Sequence, residues 1–582
     1  MTDLWFDGFD RLDGFDGFDK LTASKLTAGK RTASKRTASK LTAGRLTTLC
    51  PAKAGSRGNP GLFEIGSSSF GSELLIQFPG TIQALGTQKM TQDTPNRHTP
   101  LRRLAIVIVG YLLIAGLAAA GYVVQDLGYR ATGYTAKQAC SLVNFTGQPL
   151  DVVLSELQED NPLIQYVDVE WNPTDGTVHA GFFGLFLNTA KYRPPLGAVL
   201  VYPGYEAAIE AFPRPDVRER AAPSRTSEPF LSLKASDDSM LSRVDKPALA
   251  RALAYAFGEP ADGESTRRTR ALLVIWHNRV IAEQYHPDAK ADSLFLGWSM
   301  SKSILSLAIG RRIHQGVMSL EASELRSEWL QDHRRSIRLE QLLRMESGLK
   351  FSETYSPFSD VLTMLYRRPD MGGYAASFER EAPAGGSPWL YSSGTTNILS
   401  HQLRRSFDHD TAYVQFLWDE LLLPIGIHTA QLEFDASGTW VASSYVYATA
   451  RDWARFGKWI LDDGLWEGRR LLPVGWIQQS MTPTPSYRAS EATGDPPGAS
   501  YGMQWWLNRK NAEGVNWMPL VPGDMITAWG HFHQYMTVIP SRQLIVVRLG
   551  LSKGPAGWDY ERFLSLLLSA LPDQMSESTP QK

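Results

Sequence analysis

From Leu104 to Val124 the chain reads LAIVIVGYLLIAGLAAAGYVV, a stretch without a single charge, and no other feature limits its fold so strongly. At about 21 residues it is long enough to cross a bilayer core as one helix. Arg102 and Arg103 precede it closely. By the positive-inside rule the N-terminus then stays cytoplasmic and the large C-terminal part lies outside the cytoplasm. Ala118-Ala119-Ala120 also resembles a signal-peptide cleavage site, so export followed by cleavage is the rival to an anchor. The apolar run continues past that site, which favours the anchor. Both readings export the C-terminal part, and a buried soluble helix fits a run this long poorly.

The chain has 582 residues, too many for one ordinary domain, and most of them lie beyond the apolar run. A formal net charge of -1 gives no global pull toward nucleic acid or anionic lipid, and no nucleic-acid partner is expected. The two cysteines, Cys50 and Cys140, fall on opposite sides of the apolar run. No structural disulfide is expected between them.

Residues 1–89 begin with Asp-Gly-Phe units and pass into a five-residue repeat beginning Lys20-Leu-Thr-Ala-Ser. A period of five suits neither helix nor strand. The segment reads as disordered, or as lying upstream of a true start at Met90, with 90–103 a short cytoplasmic lead into the anchor, 104–124. Residues 125–240 mix short apolar runs with Pro and Gly and end in a polar stretch, which suggests a small extension and linker. The region 241–575 reads as the main domain. It opens with a helical pattern at Lys246–Phe257, then two strand-like runs meeting at His277-Asn278, a hairpin signal. Thr449-Ala-Arg-Asp452 is a capping-box-like helix start. A second hairpin turns at Pro540–Gln543, and a last helix covers Glu561–Leu571. Strands at both ends with helices between them predict an α+β fold, an antiparallel sheet flanked by helices.

A serine hydroxyl becomes a nucleophile when a base lies within hydrogen-bond reach, and S-x-x-K at a helix start supplies one a turn away. The chain has two such matches. Ser347-Gly-Leu-Lys350 contains a glycine after a helical pattern and reads as a turn. Ser299-Met-Ser-Lys302 opens a helix apolar around much of its girth, so both residues belong to a buried central helix. Its N-terminal N–H groups favour negative charge at Ser299, and burial lowers the pKa of Lys302 so that it can take a proton.

Gly297-Trp-Ser-Met-Ser-Lys-Ser303, followed by Trp389-Leu-Tyr-Ser-Ser-Gly-Thr-Thr-Asn397, resembles the first and second active-site motifs of the serine β-lactamase-related family. Met345–Leu349, Thr449–Gly457 and Tyr501–Trp506 match it as well, and the resemblance covers about Lys246 to Leu571. It implies a β-lactamase/transpeptidase-like fold with a helical subdomain and no cofactor. Tyr391 corresponds to the family tyrosine that moves protons between nucleophile, lysine and leaving group. Ser393 stands where the family has a substrate-contacting asparagine. The third motif, Lys-Thr-Gly in the family, falls on Ala528-Trp529-Gly530, so the lysine that holds a β-lactam carboxylate is missing. The implied oxyanion hole is the backbone N–H of Ser299 and of His531.

Trp529-Gly530 is similar to carboxylesterases of this superfamily, and Gly530–Gln534 resembles the hydrolases of 6-aminohexanoate dimers. Tyr355 sits where related amide hydrolases carry a pocket tyrosine. Ser393, Trp529, Gly530 and Tyr355 are thus the expected substrate contacts. His531 and His533 alternate as ligands on one strand face would, but no third ligand accompanies them and no metal is expected. The expected activity is hydrolysis of a small linear amide or ester through an acyl-enzyme on Ser299. The alternatives are a D,D-peptidase or β-lactamase, and a catalytically inactive membrane-tethered binding or sensor module of the same fold.

Overall fold

A computed structural model describes residues 99–215 and 242–572, apart from 264, 357, 382–387, 490–493, 512–513 and 555. The expectations for residues 1–89, for Met90 and for the end of the linker lie outside the described residues.

Helix α1 (Thr99–Thr146) carries the apolar run and is long and apolar enough to cross a membrane. Its character changes abruptly at Gln125. Apolar side chains up to Val124 are exposed, whereas Asp126 and nearly every residue from Arg130 to Ser141 is buried. The chain forms two compact units that meet between Ala115 and Gly116, and the one with 116–582 holds nearly everything described.

The buried half of α1 is covered by α2 (Leu150–Asp160) and an antiparallel meander, β1 (Val167–Asn172), β2 (Thr177–Phe182), β3 (Leu185–Tyr192) and β4 (Ala198–Val201). Residues expected to form a small extension and linker thus build a sheet of their own. A buried ion pair, Lys137 with Glu433, ties it to the rest of the unit. The Glu433 carboxylate also accepts from Ser141 Oγ and from the Ala198 N–H, each at 2.8 Å, so one buried acid is satisfied by three donors of the extension.

Helix α3 (Lys246–Phe257) leads into β5 (Thr269–Trp276) and β6 (Arg279–Tyr285). Their two-residue turn is His277-Asn278, both at positive φ (49° and 59°), as a tight hairpin with right-handed strand twist requires. Next along the chain come helices α4 (Met300–His314), α5 (Ser393–Arg405) and α6 (Ala450–Leu461). Thr449 caps α6, its side chain accepting from the Asp452 N–H at 3.1 Å. The chain closes with β7 (Ser500–Tyr501), β8 (Trp506–Leu507), β9 (Ile526–Gly530), β10 (Gln534–Ile539), β11 (Leu544–Gly550) and α7 (Tyr560–Leu568).

These strands form one seven-stranded antiparallel sheet in the order β7-β8-β9-β10-β11-β5-β6, so the first and last parts of the domain pair through β11 and β5. Side chains alternate across it. Leu272, Val274 and Val546 pack with Ala252, Phe563 and Leu567 of α3 and α7, whereas Leu273, Ile275 and Val547 join the core containing Ile304, Trp453 and Phe456 of α4 and α6. Helix α4 is buried from Met300 to Arg311, which fits its lack of a polar face.

Candidate active site

Ser299 is the N-cap of α4, and Lys302 lies one turn on, so helical geometry alone puts both side chains on one face. Lys302 Nζ sits 3.0 Å from Ser299 Oγ, 3.0 Å from Ser393 Oγ and 3.0 Å from the Ser443 carbonyl oxygen. Burial lowers the Lys302 pKa to about 8, against the opposing pull of the Glu353 carboxylate. The Tyr391 ring centroid lies 4.9 Å from Lys302 Nζ, and Ser299 is among the groups that act on its hydroxyl. Burial raises the Tyr391 pKa, so its hydroxyl keeps its proton at neutral pH.

The acceptors around Lys302 decide where the lone pair of its neutral form would point. The Ser443 carbonyl can only accept. Ser393 donates its own proton to Glu353 Oε1 at 2.5 Å, so toward Lys302 it too acts as acceptor. A neutral amine that gives hydrogens to these two is left with its lone pair facing Ser299 Oγ–H.

Glu353 was not legible as a site residue. It is buried, accepts from the Ser393 N–H at 2.8 Å and lies 3.2 Å from the Tyr355 hydroxyl. Burial raises its pKa, while Lys302 pulls it down. In the sequence it is one acid among polar residues of Phe351–Tyr355, and nothing in its spacing separates it from a surface glutamate. Ser393, expected to meet substrate, has its hydroxyl committed between Lys302 and Glu353 instead. Tyr355, at φ 52°, lines a small cavity with Ser299 and His531.

Strand β9 brings the third motif alongside. A Cβ on Gly530 would stand 2.1 Å from the Gly297 carbonyl oxygen and 3.3 Å from the Ser299 nitrogen, so only glycine lets the strand end pass the serine turn this closely. His531 comes at once after it. The pairing of His531 with His533 on one strand face does not occur, because β9 ends at Gly530 and 531–533 form a turn with Phe532 and His533 both at φ 60°. Trp529 points into an aromatic wall, 5.5 Å from Trp506, which itself stacks 5.5 Å from Tyr391. In the second S-x-x-K match, Gly348 at φ 69° makes the expected turn, and Lys350 pairs with Glu379 at the surface.

The cavity at Ser299, about 40 Å³, is also lined by Arg130, Tyr134 and Asn161 from the N-terminal extension. A larger one of about 450 Å³ shares Tyr134 and Trp298 with it but does not reach Ser299. Of these two cavities, the smaller is the one that Ser299 lines.

The fold is that of β-lactamases and transpeptidases, an antiparallel sheet with helices on both faces and a serine-lysine helix at its centre. The chain belongs to the beta-lactamase family, whose model matches residues 257–567. It is 27% identical over 267 residues to the 6-aminohexanoate-dimer hydrolase of Paenarthrobacter ureafaciens, covering 42% of this chain and 67% of that protein. A D-stereospecific amidohydrolase from Streptomyces sp. has a TM-score of 0.39 at 14% identity, covering 54% of this chain and 97% of the other. A penicillin-binding protein homologue from Caulobacter crescentus has a TM-score of 0.41 at 14% identity, covering 56% and 97%.

Proposed function

We propose that this protein is a serine hydrolase that cleaves linear amides or esters through an acyl-enzyme on Ser299, with Lys302 as base and Tyr391 as proton carrier. The observation that carries the reading is the buried Lys302 amine 3.0 Å from Ser299 Oγ, with burial bringing its pKa to about 8. The Ser299 oxygen attacks the substrate carbonyl as its proton passes to Lys302. Collapse of the tetrahedral intermediate breaks the bond to the leaving group, which takes a proton delivered through Tyr391. Water then attacks the acyl-enzyme, gives up a proton by the same route and releases the acid with Ser299 restored. The backbone N–H groups of Ser299 and His531 would hold the oxyanion, a contribution of roughly 3 kcal/mol per donor.

Two considerations favour a linear substrate over a β-lactam. The third motif lacks its lysine, and 6-aminohexanoate-dimer hydrolase is among the relatives. Trp529 and Tyr355 would contact the acyl or leaving group. The hydrolase domain, 241–575, would be held at a membrane by Leu104–Val124 on the side outside the cytoplasm.

The test is turnover of p-nitrophenyl butyrate and an aminohexanoate amide, with nitrocefin as comparison, by wild type, Ser299→Ala and Lys302→Ala. Ester or amide turnover lost in both variants supports the reading. Equal rates in all three proteins would remove Ser299 from the chemistry and favour an inactive binding module; dominant nitrocefin turnover would favour a β-lactamase.

A further inference from the structure

The tip of the β2–β3 hairpin is apolar and uncovered. Phe183, Leu185 and Leu187 are 69, 60 and 68% exposed, and Tyr166, 47% exposed, has its ring 5.9 Å from that of Phe183. Three large side chains in so short a hairpin form a patch that an aqueous surface does not explain.

Two contacts fix where the tip points. Near the far end of β3 the Tyr192 ring lies 5.6 Å from that of Phe145, and nearer the tip Asn188 Nδ2 donates to the Tyr129 carbonyl oxygen at 3.0 Å and to Thr132 Oγ1 at 2.6 Å. Strand β3 therefore runs antiparallel to α1. From Asn188 to Leu185 the strand advances about 10 Å, which equals about seven residues of helix. That carries the tip toward the exposed apolar turns of α1, which end at Val124.

The candidate pocket lies just behind Val124. Arg130, which lines it with Ser299, comes after Val124 on the same helix by about 9 Å of rise. Asn161 lines it too, and starts the short helix Pro162–Tyr166 that ends at the hairpin patch.

We propose that the β2–β3 tip dips into the same bilayer surface from which α1 emerges, and that the Ser299 pocket takes its substrate from that surface. The substrate class is an amphiphile with a long acyl chain, whose ester or amide lies at headgroup depth. This rests on the Ser299 reading for its chemistry, but the membrane contact does not. The continuity of the tip with the apolar turns of α1 selects lipid as the occupant, since a hydrophobic surface at that level meets acyl chains.

The test uses the full chain in phosphatidylcholine vesicles. Cys50→Ser leaves buried Cys140, and a nitrobenzoxadiazole dye is placed on Phe183→Cys or, as control, on the exposed Val474→Cys. The dye at 183 should shift to the blue and be quenched by doxyl lipid, and the dye at 474 should not. Phe183→Asp with Leu187→Asp should slow hydrolysis of vesicle-borne p-nitrophenyl palmitate about tenfold and leave p-nitrophenyl butyrate turnover unchanged. An unquenched dye at 183 overturns the contact, and equal palmitate rates overturn the substrate assignment. Wild type inactive on both esters and on an aminohexanoate amide, with the dye quenched, would overturn the Ser299 reading and the substrate assignment while upholding the contact.

Discussion

Replacing Glu353 by glutamine should move the acid limb of kcat/KM to lower pH. Lys302 must be neutral to accept the serine proton, so activity rises with pH through its pKa of about 8. The Glu353 carboxylate favours the charged amine and holds that pKa up against burial. The two hydrogen bonds through Ser393, 3.0 and 2.5 Å, place the charges no more than about 5.5 Å apart. At an effective dielectric near 20 this is roughly 3 kcal/mol, equivalent to about 2 pH. Glutamine preserves the shape and removes the charge, and its one carbonyl oxygen can keep one of the two bonds from Ser393. The assay is kcat/KM for p-nitrophenyl butyrate from pH 5 to 10, with urea denaturation to establish that the variant is folded. A folded variant whose limb stays put or moves up would refute the coupling between Glu353 and Lys302.

Tyr391→Phe should lower kcat by about 10²–10⁴ with little change in KM, because the lost hydroxyl carries a proton rather than holding substrate; a change confined to KM would contradict that role. Gly530→Ala should lower kcat/KM by about 10² or more, since its Cβ would meet the Gly297 carbonyl and push β9 away from Ser299. Wild-type acylation rates in that variant would show that the strand end does not serve the oxyanion. Glu433→Gln should destabilise unit 116–582 by about 3–5 kcal/mol, leaving Lys137 buried without its charge partner. Urea denaturation of the full chain measures this, and a loss under about 1 kcal/mol would mean that the extension is not braced through Glu433.

What the sequence determined by itself was local. Ser299 and Lys302 meet because residues three apart share a helix face, and the uniformly apolar girth of α4 marks it as buried. His277-Asn278 made its hairpin and Thr449 its cap because turn and cap chemistry act over a few residues. The length of the Leu104–Val124 run set its helix in the same way, though not how far α1 continues beyond it. Tertiary structure decided what depends on distant partners. The Ser443 carbonyl meets Lys302 across 141 residues, and a main-chain oxygen has no signature in a sequence. Glu353 became part of the site, and Ser393 lost its hydroxyl to it, because folding brought a loop acid over the start of α5. His531 and His533 were separated by a chain reversal after Gly530 that alternation could not reveal. Arg130, Tyr134 and Asn161 reached the Ser299 pocket because the extension is packed against the hydrolase fold, and such packing is fixed by surfaces that meet only once the chain has folded.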